Sequence, residues 1–178
     1  DPERRYPVMY FFDGQNIFFD DDAAFSTSWG MEGYMLESER ELILVAIECN
    51  REGSGRLEEY SPFTFENSEL GRIKGRGKQY MHWLIQELKP YIDETYRTLP
   101  DRENTMIAGS SMGGRMALYA ATAFNSVFQR AACLSPSLWV APGKILELIA
   151  RAHIRRDTCI YLDYGAKEMF NHAANAEA

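Results

Sequence analysis

The chain has 178 residues, 46% of them hydrophobic and 25% charged, with a formal net charge of −7 and a sequence pI near 5.0. That composition suits a globular domain able to bury a substantial core, and it offers no long basic face to nucleic acid or to an anionic membrane surface. No run approaches the roughly 18 consecutive apolar residues that span a bilayer, and the first residues lack the sections of a secretory signal, so a cytoplasmic location is expected.

The first strand is expected at residues 6–12 (YPVMYFF), and a loop rich in Asp, Ser and Thr leads to a helix over about 29–40. Residues 42–47 (LILVAI) are continuously apolar, as for a parallel strand buried on both faces. Residues 49–74 hold many turn formers and no sustained period, so they read as a long loop crossing one face of the domain. Apolar residues at three- and four-residue intervals from Tyr80 to Ile92 predict an amphipathic helix over about 78–97, with Pro90 as a kink. A short strand (105–108), a tight turn (109–114) and a helix (115–124) follow. Then come a strand (130–134), a helix (144–153) and a last strand (159–162). Strands alternating with helices predict a single α/β domain over 1–178, with a mostly parallel sheet covered by helices on both faces. The open strand edges of such a sheet would allow a homo-oligomer. The chain starts at Asp1 and stops in AANAEA, so it reads as truncated at both ends. Cys49, Cys133 and Cys159 lie in or beside apolar runs and do not cluster with histidines at zinc-like spacing. They are expected to be buried free thiols, with no metal site.

Between the strand at 105–108 and the helix at 115–124 stands Gly109-Ser110-Ser111-Met112-Gly113. A G-x-S-x-G pentapeptide in a strand-to-helix turn has the context of a nucleophile elbow, in which small neighbours let the backbone bend sharply and present the serine hydroxyl. Ser111 is the candidate nucleophile, and the N-terminus of the following helix favours negative charge beside it.

The segment PDRENTMIAGSSMGGRMALYA, with ELKPYIDETYRTLPDRENT before it, YPVMYFFDGQN and RLEEYSP far upstream and LSPSLW downstream, resembles the esterase family of α/β hydrolases. That family includes esterase D-like, feruloyl esterase-like and enterochelin esterase-like enzymes. The resemblance implies the α/β-hydrolase fold, hydrolysis of a small ester by a serine nucleophile, and no metal or organic cofactor. It also implies an oxyanion hole built from the backbone N–H groups of Gln15, in the turn after the first strand, and Met112. The triad carboxylate is implied at Glu168, in the Gly165-Ala166-Lys167-Glu168 stretch after the last strand, with Asp163 as its rival. A histidine base should follow the acid in chain order. His82 and His153 precede it, which leaves His172 or a further carboxy-terminal stretch.

Trp139, just beyond a strand's carboxyl end, and Tyr60, in the long loop, are candidate substrate-binding walls. Arg56, Glu58 and Glu59 are expected to anchor that loop through charge pairs. Two rival functions keep the same residues: a thioesterase or acyltransferase, and a non-catalytic binding module on a hydrolase scaffold.

Overall fold

The computed structural model describes residues 3–68 and 70–165. Five parallel strands form one sheet in the order β2-β1-β5-β6-β7. They are β1 (Val8–Phe12), β2 (Ile43–Ile47), β5 (Thr105–Ser110), β6 (Arg130–Leu134) and β7 (Cys159–Asp163). The antiparallel hairpin of β3 (Phe65–Asn67) and β4 (Gly71–Ile73) stands apart from this sheet. The helices are α1 (Met31–Ser38), α2 (Gly55–Glu59), α3 (Gly77–Trp83), α4 (Lys89–Thr95), α5 (Met112–Ala123) and α6 (Pro142–Arg151).

Side chains alternate across β1. Val8, Tyr10 and Phe12 enter the major core with Met81, Leu84, Met112, Met116 and Ile145, whereas Met9 and Phe11 face a small cluster with Ile17, Ala108 and Met31. The helical cover is therefore unequal. Nearly all of α5 is buried between the sheet and its neighbours, while α1, on the thinner side, has no buried residue.

Three expectations are corrected. Residues 43–46 of β2 are only partly buried, because β2 is outermost in the strand order and has a neighbour on one side only. The long loop contains α2 and the β3–β4 hairpin, elements of three to five residues that are too short to show a period. The helix at 77–95 is interrupted before Pro90 by a π-helical turn at Leu84–Leu88. Proline lacks an N–H and its ring crowds the preceding turn, and a widened turn relieves that crowding.

The chain leaves β1 for β2 on one side and then crosses to β5 on the other. Such a reversal opens a crevice at the carboxyl ends of the two strands between which it occurs. Here those strands are β1 and β5. Residues 13–16 follow the first, and Ser111 follows the second.

Candidate active site

Ser111 is the single residue between β5 and α5, with φ 55° and ψ −120°. A side chain in that region is strained, and surroundings that over-determine the backbone must hold it there. Ser111 N–H donates to the Leu134 carbonyl (3.0 Å), and its own carbonyl accepts from Ser137 N–H (2.9 Å) and Arg115 N–H (3.0 Å). The neighbouring glycines are needed for space. A Cβ on Gly109 would lie 2.6 Å from the Gly113 carbonyl carbon, and one on Gly114 would lie 2.9 Å from the Leu134 oxygen. Ser111 is exposed, and its Oγ lies 3.1 Å from Ser137 Oγ. Met112 opens α5, where the first N–H groups have no intrahelical acceptor and the helix dipole is positive.

The turn after β1 is shaped by other means. Asp13 adopts the left-handed conformation (φ 57°, ψ 46°), and its buried carboxylate accepts two hydrogen bonds from Arg56, from Nε at 2.7 Å and from Nη2 at 2.8 Å. Asp13 N–H donates to the Tyr60 hydroxyl at 2.9 Å, and the Arg56 guanidinium stands over the Tyr60 ring. Gly14 passes so close to β2 that a Cβ would lie 2.4 Å from the Ala46 carbonyl carbon and from Ile47 N. The Gln15 amide is held by Cys49, whose N–H donates to Gln15 Oε1 (3.2 Å) while Gln15 Nε2 reaches Cys49 Sγ (3.2 Å).

The two turns touch. A Cβ on Gly113 would come within 3.1 Å of both Asp13 Oδ2 and Phe12 Cβ. The residues after β1 are thus packed against the first turn of α5, one residue beyond Met112.

Burial dominates the electrostatics beneath this junction. It opposes the charge on Arg56, but the hydrogen bonds and attraction of Asp13 outweigh it and raise the Arg56 pKa. Burial, followed by the Asp13 charge, pushes the Cys49 thiol up to about 11. The Tyr60 phenol is raised far above its ordinary value, chiefly by burial, and stays neutral.

Several sequence-derived site residues change role or place. Tyr60 is fully buried, with its hydroxyl accepting from Asp13, so it is a support beneath the β1 turn and not a wall touching substrate. Trp139 is half-buried on the loop after β6 and packs against the major core. Arg56 and Glu58 anchor the loop through charge pairs, with Asp13 and Arg76, whereas Glu59 accepts a hydrogen bond from Asn50 N–H within the loop itself. Asp163, at the end of β7, ties that strand to the loop after β6, with Oδ1 accepting from Ser135 N–H (2.9 Å) and Oδ2 from Tyr161 Oη (3.0 Å). Cys49 and Cys133 are buried free thiols, but Cys159, on an outermost strand, is exposed. Glu168 and His172 lie outside the described residues.

His82 packs edge-on against Phe124, and His153 lines a cavity of about 740 Å³ with Thr122, Asn125 and Ser126. Both therefore stand by the far end of α5, roughly 18 Å along its axis from Ser111. The same cavity is also lined by Phe63 and Lys144. Ser137 was not singled out from the sequence, and only the Ser-Pro-Ser turn after β6 hinted at it. Among the described residues, no helix is long and apolar enough to cross a membrane.

A parallel sheet with a strained serine elbow at its switch point, facing the turn after the neighbouring strand, defines an α/β-hydrolase domain. The chain belongs to the family described as "Putative esterase", whose model matches residues 1–178. It is 23% identical over 166 residues to the uncharacterized protein YbbA of Bacillus subtilis (strain 168), covering 92% of this chain and 62% of YbbA. Among solved structures it is similar in fold to the BES protein from Bacillus cereus (TM-score 0.73, 22% identity, 97% of this chain and 67% of that one). It is likewise similar to the enterobactin esterase FES from Shigella flexneri (TM-score 0.71, 20% identity, 96% of this chain and 42% of that one). The chain thus spans less than two thirds of the length of YbbA and of FES.

Proposed function

We propose that the protein containing this chain is a serine carboxylic-ester hydrolase that acts on a small ester through an acyl-enzyme. The observation carrying this reading is the backbone of Ser111, an exposed non-glycine residue at φ 55° that stands at the helix start packed against the β1 turn. A turn formed only to connect a strand to a helix has no need of strain at a serine.

In this mechanism Ser111 Oγ attacks the ester carbonyl, and the N–H groups of Gln15 and Met112 receive the negative charge that develops on its oxygen. A histidine takes the Ser111 proton as base and, as the acid so formed, gives it to the departing alcohol; it then takes a proton from the water that attacks the acyl-enzyme and returns it to Ser111 Oγ as the carboxylic acid leaves. Glu168 orients that base, which comes from His172 or from a segment not included in this chain. Ser137, at 3.1 Å, holds the resting Ser111 hydroxyl in place. Trp139 lines the substrate side. The solved relatives include an enterobactin esterase, a siderophore hydrolase and a ferulic acid esterase, so aryl-acyl esters belong in the first substrate panel beside short alkyl esters.

The test is fluorophosphonate labelling with peptide mapping, run beside a fluorogenic ester panel on the full polypeptide. The expected result is one labelled serine, Ser111, with hydrolysis and labelling both lost in Ser111→Ala. Labelling at another serine, or unchanged hydrolysis in Ser111→Ala, would contradict the proposal.

A further inference from the structure

Arg115 is the largest fully buried side chain among the described residues, and its relative exposure is 0%. Its surroundings do not neutralise it. Among the described residues, Nε and Nη2 have no hydrogen-bond partner, Nη1 reaches only Met112 Sδ at 3.9 Å, and the guanidinium stands over the rings of Phe63 (4.8 Å) and Phe65 (5.7 Å). Burial pulls its pKa down to about 10, which still leaves it protonated at neutral pH.

A buried cation without an anionic partner costs stability, and an apolar side chain of similar volume serves a core at least as well. Its location offers a reason to keep it. Arg115 is one helical turn beyond Ser111, and its own N–H donates to the Ser111 carbonyl. Helical side chains lean toward the helix N-terminus, which accounts for the guanidinium reaching back to the Met112 side chain. A full positive charge therefore lies beneath the start of α5, adding to the partial charge of the helix terminus. With little water around it, its influence is weakly screened over several ångströms.

We propose that Arg115 is an electrostatic positioning residue for acyl transfer, stabilising through space the oxyanion that the Met112 N–H receives. This inference rests on the hydrolase reading above. It requires no contact between Arg115 and substrate, consistent with the complete burial of the side chain.

The experiment compares wild type, Arg115→Met, Arg115→Gln and Arg115→Lys in the full polypeptide. Four quantities are read: kcat and KM on a neutral p-nitrophenyl ester, the inhibition constant of a boronic acid whose tetrahedral adduct is anionic, and Tm. Removing the charge in the Met and Gln variants should lower kcat about tenfold and boronate affinity by a similar factor, with KM within about twofold. Arg115→Met should keep or raise Tm, and Arg115→Lys should retain most of kcat. Wild-type kcat in Arg115→Met would overturn the proposal, and so would an equal loss in Arg115→Lys or a change confined to Tm. Fluorophosphonate labelling of the wild type separates the two readings. With Ser111 labelled and the variants unaffected, only the role of Arg115 fails; without labelling, both fail.

Discussion

The two turns that meet at the candidate site reach their geometry by opposite routes. The elbow at Ser111 is set by absent side chains, since a Cβ at Gly109 or Gly114 would strike backbone atoms at 2.6 and 2.9 Å. The turn at Asp13 is set by side chains that are present, namely Cys49, Arg56 and Tyr60, which lie 34 to 47 residues from their partners in the turn. One device is steric. The other is a buried polar network assembled from distant segments, so it can be weakened in steps and responds to pH.

The contrast can be broken most severely at the elbow. Gly109→Ala should cost about 3 kcal/mol or more, because the clash is with backbone that cannot move aside, and Tm should fall by roughly 6–12 °C in thermal unfolding. Arg56→Met leaves the Asp13 carboxylate buried without its partner. About 2–3 kcal/mol of stability should be lost in urea unfolding, with kcat falling more than KM rises, because the β1 turn loosens beside the elbow. Arg56→Lys, which keeps the charge but not the two-pronged geometry, should recover part of both losses.

Tyr60→Phe is a finer probe. It removes only the acceptor of Asp13 N–H and should cost about 1–2 kcal/mol by the same unfolding measurement. Titration of Cys49 probes the same network through pH. Its pKa in the folded protein is raised to about 11, so the folded state holds this proton where the unfolded thiol has lost it. That contribution is fully present below pH 9 and declines as pH rises toward 11, so stability should fall across this window, less steeply in Cys49→Ala. Iodoacetamide at pH 8 should modify Cys159 and spare Cys49 and Cys133 until the protein unfolds.

The same contrast governs how much could be read from the sequence. The elbow was legible because its glycines and serine lie together in residues 109–114 and strand and helix signals alternate around it, although its contacts with Leu134 and Ser137 left no mark. The parallel sheet was legible for the same reason. The support under the β1 turn was only half visible. Arg56 could be read as an anchor, but its partner Asp13 could not, and Tyr60 looked like a substrate wall because burial inside a turn-rich segment leaves no periodic mark. Cys49 and Gln15 are joined only by the packing of β2's end against the β1 turn. Arg115 carried no warning, since an arginine in a helix normally faces water, whereas nearly all of α5 is buried.

The most direct test of the central claim, that the Ser111 elbow and the β1 turn together receive one oxyanion, is a crystal structure of the full protein with Ser111 phosphonylated. The account predicts one phosphoryl oxygen within about 2.7–3.1 Å of both Gln15 N and Met112 N. A phosphonate on Ser111 whose oxygens contact Met112 N alone, with the β1 turn displaced or occupied elsewhere, would contradict it.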